Sequence, residues 1–209
     1  TIEKTHNTLQ GQFETVDVTM GSMPYPIGGF DLLIEYDASA LSLTQVLAGD
    51  FITTCGWEYF TYRNGGCSNC GSGGCPSGMV RIIAIAEINN GANHPSCFQL
   101  QPAEVAELVF LVTNDRTFEC QFVPIRFSWC DCGDNALSSV SGDTLFISST
   151  VNDYFTDTIY NDITDLNTPF PSLFGANATC DIEQENGKPD LIRCIDFFNG
   201  GIDIICADS

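Results

Sequence analysis

The run 28–47 most narrowly limits what this chain can fold into. Apolar residues occupy every second position from Phe30 to Tyr36, which predicts a strand with one face in a core. A polar corner follows at 37–40, and an apolar pattern resumes from Leu41. The run is therefore predicted to be a strand, a corner and a second strand in a hairpin-like pair. It carries only isolated carboxylates, so functional groups are expected on the loops and edges around it.

Similar short runs recur along the chain and are separated by Gly, Pro and Asn. They lie at 12–20, 57–62, 79–88, 104–113, 121–129, 144–149 and 191–205. The run 79–88 is almost continuously apolar, which is typical of a strand buried on both faces. No segment repeats apolar residues at helical spacing over a helical length. These features indicate an all-β fold, a jelly-roll β-sandwich of about nine strands.

The charge of the chain limits its partners. The 209 residues include 7 Lys+Arg against 27 Asp+Glu, for a formal net charge of −20. With so few cations, neither nucleic acid nor an anionic membrane surface is an expected partner, and no apolar run is long enough to span a membrane. Cations, sugars and other proteins remain as partners, although solubility alone also explains an acidic surface.

Eleven cysteines indicate an oxidising, extracellular compartment. They are Cys55, Cys67, Cys70, Cys75, Cys97, Cys120, Cys130, Cys132, Cys180, Cys194 and Cys206. The Gly-rich stretch 64–78 holds three of them and almost nothing apolar. We expect disulfides to staple this long loop, while a zinc ion bound by its thiolates is the alternative. Because eleven is odd, at least one thiol is expected to be free, to bind a metal or to pair outside this chain.

Two oxygen-rich stretches are candidate calcium sites. One surrounds a loop with Asp131, Asp134 and Asp143. The other is a Thr/Asn-rich stretch that contains Asp153, Asp157, Asn161, Asp162 and Asp165. Calcium takes roughly six to eight oxygens from such loops, but neither spacing matches the EF-hand template. A solvated acidic loop is the alternative in both cases. Asn177 begins an Asn-Ala-Thr sequon, a candidate glycosylation site.

No catalytic constellation is recognisable in the sequence. His6 and His94 are the only histidines, and neither has an obvious Ser–Asp partner. With 27 acidic residues, a pair of opposed carboxylates is easy to find and says little about glycoside hydrolysis. We therefore expect that the chain is not an enzyme. The aromatic residues of one predicted strand suit either a core or a sugar-stacking surface. They are Trp57, Tyr59, Phe60 and Tyr62.

Several stretches resemble the strands of cohesin domains. Gly29-Phe-Asp-Leu-Leu-Ile-Glu-Tyr-Asp followed by Leu41 resembles the opening strands, 104–112 a later core strand, and 123–127 with 141–146 the closing strands. The resemblance covers about residues 11–150 of this sequence. It implies a sandwich module of large secreted bacterial proteins that binds protein partners without catalysis and is often followed by a dockerin-like repeat. The loop at 64–78 and the residues after 150 depart from this pattern.

We divide the chain into a cohesin-like β-sandwich at 1–150 and an Asp/Asn-rich extension at 151–209. The extension is expected to end in a C-terminal β-hairpin that packs on or completes the same domain. There, Ile202 and Ile204 are expected either to fill pockets of a neighbouring molecule or to close the chain's own sheet.

The predicted function is that of a non-catalytic extracellular or cell-surface module. Its partners are expected to be other protein modules or copies of itself, in a fibre, array or scaffold. A calcium-dependent carbohydrate-binding adhesin module that binds glycans is the alternative. No cofactor other than calcium is expected.

Overall fold

The computed structural model describes residues 1–64, 78–99, 101–129, 134–152 and 190–206. Within these ranges the chain forms twelve strands, one short α-helix and one turn of 3-10 helix at Arg116–Phe118. The strands are β1 Lys4–Thr8, β2 Phe13–Met20, β3 Ile27–Tyr36, β4 Leu41–Ala48, β5 Tyr59–Asn64, β6 Met79–Ile85, β7 Ala103–Val112, β8 Phe122–Phe127, β9 Ala136–Ser139, β10 Thr144–Asn152, β11 Asp190–Phe198 and β12 Gly200–Ile204. Helix α1 is Asp50–Cys55.

The strands form two sheets. The smaller sheet is antiparallel, in the order β2-β7-β4, and the larger sheet is centred on β3. On one side of β3 lie β6 and then β5. On the other side β3 pairs first with β9 and then, nearer its end, with β8. Strands β10 and β11 continue from β9, and β12 and β1 continue from β8. This architecture confirms the predicted all-β sandwich.

The core lies between the two sheets and is built from alternate residues of each strand. Leu32 and Ile34 of β3, Ile82 of β6 and Leu108 and Phe110 of β7 are all at most 1% exposed. Burying one such side chain contributes about 1.5–3 kcal/mol, so the period-two pattern of the sequence is the main source of stability. In β6, however, Arg81 and Ile83 are only half-buried and Ile85 is 37% exposed. The prediction that this strand is buried on both faces is therefore wrong.

The corner after β3 transfers the chain from one sheet to the other. The backbone carbonyl of Asp37 accepts hydrogen bonds from the N–H groups of Ala40 (3.1 Å) and Leu41 (2.9 Å). The Asp37 side chain accepts further bonds from the backbone and hydroxyl groups of Ser39. The prediction of a hairpin-like pair is wrong, because β3 pairs with β6 whereas β4 pairs with β7.

The C-terminal strands belong to the larger sheet. Strand β11 pairs in parallel with β10, and β12 lies between β8 and β1. They are therefore not the predicted hairpin, although only Asn199 separates them in sequence. Ile202 is 0% exposed and Ile204 is 1% exposed. The assignment of these two residues to an interface is corrected, because both side chains fill the chain's own core.

Buried asparagines close the gap at which β8 and β9 diverge beside β3. The Asn135 side chain accepts a hydrogen bond from the N–H of Leu33 (2.8 Å) and donates one to the carbonyl of Ser128 (2.6 Å). The N–H of Ser128 donates in turn to the carbonyl of Leu33 (2.9 Å). At the end of β8, the N–H of Phe127 donates to the Asn199 side chain (2.9 Å). These side chains replace ladder bonds that the diverging strands cannot make.

Among the described residues, two disulfides cross-link the fold. Cys55 at the end of α1 pairs with Cys97, and Cys120 before β8 pairs with Cys206 after β12. Cys194 on β11 is a free, exposed thiol, which agrees with the odd count. The other candidate disulfide residues lie outside the described residues, and they are Cys67, Cys70, Cys75, Cys130, Cys132 and Cys180.

Candidate functional site

The outward-facing side chains of β5 and β6 form a surface that mixes apolar and basic groups. We call it the β5–β6 face, and it consists of Tyr59, Thr61, Arg63, Arg81, Ile83 and Ile85. The register places Tyr59 opposite Ile85, Thr61 opposite Ile83 and Arg63 opposite Arg81. Because alternate residues share a face, these pairs form three parallel rows. An exposed apolar row lies at one end of the face and a basic row at the other.

The two arginines of the basic row differ in their surroundings. Arg81 donates to Asp31 (2.8 Å) and to Asp134 (2.6 Å). Burial by itself lowers the pKa of Arg81, but the two carboxylates outweigh it and raise this pKa above its ordinary value. Arg63 is exposed, and no described carboxylate lies within salt-bridge distance of it.

A third arginine lies on the same side of the large sheet. Arg126 of β8 stands opposite Glu35 of β3, and alternation places Glu35 on the same face as Asp31. The chain has only seven Lys and Arg residues, so Arg63, Arg81 and Arg126 make this side the least acidic broad surface that the described strands present.

The outer face of the small sheet has the opposite charge. We call it the β2–β7 face, and it consists of Phe13, Thr15, Asp17, Glu107, Val109 and Leu111. The register places Phe13 opposite Leu111, Thr15 opposite Val109 and Asp17 opposite Glu107. Phe13 is 65% exposed and Leu111 is 36% exposed. The strands β2, β4 and β7 contain no lysine or arginine, so the acidic row has no basic neighbour in its own sheet.

The carboxylates at the acidic end of this sheet raise one another's pKa values. Desolvation, followed by the charges of Asp17 and Glu107, raises the pKa of Glu104 from 4.5 to about 7. Desolvation, followed by the charges of Glu3 and Glu107, also raises the pKa of Asp17. Asp50 of α1 adds to the negative potential at Glu104. Burial and like charge together therefore disfavour the ionised form of these carboxylates.

The protein is expected to lose stability as the pH rises from about 4.5 to about 7. Over this window folded Glu104 keeps a proton that the unfolded chain has lost, so unfolding releases a proton and rising pH favours it. Glu104→Gln should reduce the slope of unfolding free energy against pH, as measured by urea denaturation at several pH values. Glu119→Gln, at a carboxylate paired with Arg116, is the control. An unchanged slope in the Glu104 variant would contradict this prediction.

The histidines do not form a catalytic site with a described nucleophile. His6 Nδ1 lies 3.4 Å from Asp203, and His94 Nδ1 lies 2.7 Å from Glu87. Both imidazoles are more than half exposed, at 55% and 57%. Each histidine thus makes one carboxylate contact at the surface, His6 from strand β1 and His94 from a loop.

The aromatic residues around β5 do not form a common stacking surface. Trp57 is only 8% exposed, and its indole N–H donates to the backbone carbonyl of Cys97 (3.1 Å). Phe60 is half-buried against the core. Tyr59 and Tyr62 are 38% and 36% exposed, but they lie three residues apart and so point to opposite faces of the strand.

The predicted metal ligands are only partly within the described residues. Asp134 binds Arg81, and Asp143 accepts hydrogen bonds from the hydroxyls of Ser139, Ser141 and Thr144. Among the described residues, no three His, Cys, Asp or Glu side chains are grouped so as to hold a metal. The remaining candidates lie outside those residues, and they are Asp131, Asp153, Asp157, Asn161, Asp162, Asp165 and the sequon residue Asn177.

In the ranges that the structure describes, no helix is both long and apolar enough to cross a membrane.

Known proteins match this chain at the level of structure. No family model and no curated protein matches its sequence. A type I cohesin–dockerin complex from Clostridium thermocellum contains a chain with 15% identity and a TM-score of 0.51, over 98% of this chain and 96% of that one. The sixth cohesin of scaffoldin B from Acetivibrio cellulolyticus, solved with a dockerin, has 12% identity and a TM-score of 0.54, over 97% and 95%.

A third solved structure gives the same result. The seventh type I cohesin of a scaffoldin from Pseudobacteroides cellulosolvens has 16% identity and a TM-score of 0.50, over 100% of this chain and 92% of that one. The architecture of the present chain is thus that of a two-sheet jelly-roll module. More particularly, its fold is cohesin-like, as the strand patterns of the sequence predict.

Proposed function

We propose that this chain is a non-catalytic protein-binding module and that the β5–β6 face is its docking surface. The observation that carries the proposal is the composition of this face: exposed Tyr59 and Ile85 at one end and exposed Arg63 at the other, in a chain of net charge −20. Aromatic and arginine side chains are enriched in protein interfaces and dominate their binding energy. The face is also continuous, because β5 and β6 pair without a register shift from Tyr59 to Asn64.

The fold supports a partner of the dockerin kind. Two of the similar solved structures are complexes in which a cohesin is bound to a dockerin. A fold alone does not determine function, so the proposal depends on the residues of the β5–β6 face. Those residues supply an apolar row for burial and a basic row for orientation.

We further propose that the protein works outside the cell, as a subunit of an extracellular or cell-surface assembly. The Cys55–Cys97 and Cys120–Cys206 disulfides support this location, because such bonds persist in oxidising compartments. A calcium site at 153–165 stays a proposal. The alternative function, calcium-dependent glycan binding, needs such a site and is also a proposal. Both rest on residues outside the described ranges.

The test is a calorimetric titration with a panel of purified dockerin modules, including those of the two solved complexes. The variant Ile85→Asp places a charge in the exposed apolar row and should weaken binding by roughly tenfold or more. Leu111→Asp is the matched control, because Leu111 is 36% exposed against 37% for Ile85 but lies on the other sheet. It should bind as the unaltered protein does. Binding that survives Ile85→Asp unchanged would rule out this face as the docking surface.

A further inference from the structure

We propose that the β5–β6 face of one copy binds the β2–β7 face of a second copy, so that copies stack head to tail. The inference rests on the proposed function, since it uses the same docking face, and it names an occupant for that face. The two faces belong to different sheets of the sandwich and point in opposite directions. One copy can therefore engage a neighbour on each side at once.

The two faces have the same row layout, with arginines in the charged row of one and carboxylates in that of the other, and Arg81 also pairs with Asp31 and Asp134 of its own chain. On the β5–β6 face, the basic row of Arg63 and Arg81 lies four residues along the strands from the apolar row of Tyr59 and Ile85. Ile83 occupies the row between them. At the rise of a β-strand, four residues span about 13 Å.

The β2–β7 face repeats this spacing. Its acidic row of Asp17 and Glu107 lies four residues from the apolar row of Phe13 and Leu111. Val109 occupies the row between them. When the faces are laid together with the charged rows aligned, arginine meets carboxylate, Ile83 meets Val109, and the exposed apolar rows cover each other.

Each face carries a charge that its own chain leaves uncompensated. Arg63 has no described carboxylate within salt-bridge distance. Asp17 and Glu107 stand directly opposite each other, an arrangement that destabilises a sheet. Desolvation, followed by the charges of neighbouring carboxylates, raises the pKa values of Asp17 and Glu104 at this end of the sheet. An arginine of a second copy supplies the missing counter-charge, and the acidic row supplies a partner for Arg63.

The net charge of −20 makes this contact selective. Copies of so acidic a protein repel one another in most orientations. The repulsion is lowest where the arginines of one copy face the carboxylates of the next. Because the two faces are different, the contact is heterologous, and it generates a ring if the rotation closes and an open filament if it does not.

The test is sedimentation velocity over a concentration series at about 0.15 M salt, where charges beyond roughly 8 Å are screened. The unaltered protein should form species larger than a monomer in a concentration-dependent manner. Arg63→Glu and Glu107→Arg should each lower the association constant by tenfold or more. An equimolar mixture of the two variants should associate again, because the unaltered β5–β6 face of the Glu107→Arg variant meets the unaltered β2–β7 face of the Arg63→Glu variant.

The matched control exchanges the two residues of one ion pair, so that each charge is reversed and the pair is kept. Arg116 and Glu119 form an ion pair (2.8 Å) that belongs to neither face, and the double variant Arg116→Glu, Glu119→Arg should associate like the unaltered protein. Circular dichroism checks that every variant is folded. A protein that stays monomeric throughout the series, or a mixture that fails to associate, overturns the inference. Dockerin titration distinguishes the two proposals, because a strictly monomeric protein that binds a dockerin would overturn this inference and leave the proposed function standing.

Discussion

Replacing both Cys120 and Cys206 with serine is expected to lower the free energy of unfolding by about 4–5 kcal/mol. The two cysteines are 86 residues apart in sequence, and a cross-link that closes so long a loop removes much of the conformational entropy of the unfolded chain. Small domains are stable by only about 5–15 kcal/mol in total. The loss should therefore be visible as a large shift of the urea midpoint.

The position of this disulfide adds a local reason for the large effect. Cys206 follows β12, whose Ile204 N–H donates to the carbonyl of Gln121 beside Cys120 (2.9 Å). Without the cross-link, β12 can separate from β8 and expose Ile202 and Ile204, which fill the core. Strand β1 would follow, because its ladder partner in the sheet is β12.

The free thiol provides the control for this experiment. Cys194→Ser changes a cysteine that is exposed and unpaired, so its effect on unfolding should stay within about 0.5 kcal/mol. A Cys120→Ser, Cys206→Ser protein with the urea midpoint of the Cys194 variant would show that the cross-link contributes little. Reduction of the unaltered protein should lower stability further, because it also opens the Cys55–Cys97 bond.

The strands that the sequence predicts correctly are those that bury one face. In β2, β7 and β8, alternate residues face the core, and burial imposes the same period on the sequence. Strand β1 cannot be predicted from an apolar period, because its sequence Lys-Thr-His-Asn-Thr is polar. Backbone pairing with β12 holds it in the sheet. Helix α1 cannot be predicted in this way either, because six residues are too few to show a helical period. Its residues Phe51, Ile52 and Cys55 are nevertheless buried.

The candidate faces depend on information that one strand does not contain. Each residue of the β5–β6 face is unremarkable in its own strand, and the rows exist only because β5 and β6 pair in a particular register. A shift of one residue would send every side chain to the other face. The strand after the Asp37 corner gives a second example. Its pattern predicts a strand, but local sequence does not determine whether that strand pairs with β3 or joins the opposite sheet.

Replacing Asn135 with alanine is expected to destabilise the protein by about 3–4 kcal/mol. Asn135 is 0% exposed, and its amide is the hydrogen-bond partner of the Leu33 N–H and the Ser128 carbonyl. Alanine would leave both groups buried and unsatisfied, at a cost of about 1–3 kcal/mol each. The residue also has a φ of +54°, a conformation that alanine adopts less readily than asparagine.

A matched variant separates the hydrogen bonds from the backbone strain. Asn90 has a φ of +48° and is exposed, so Asn90→Ala measures the cost of the left-handed backbone alone, about 1 kcal/mol. Asn135→Asp keeps an acceptor for Leu33 but sets a buried carboxylate against the Ser128 carbonyl, so it should destabilise the protein at least as much as Asn135→Ala. Because Asp134 holds Arg81 in the β5–β6 face, Asn135→Ala should also weaken binding at that face. Equal urea midpoints for Asn135→Ala and Asn90→Ala would mean that the buried amide does not hold β3 and β8 together.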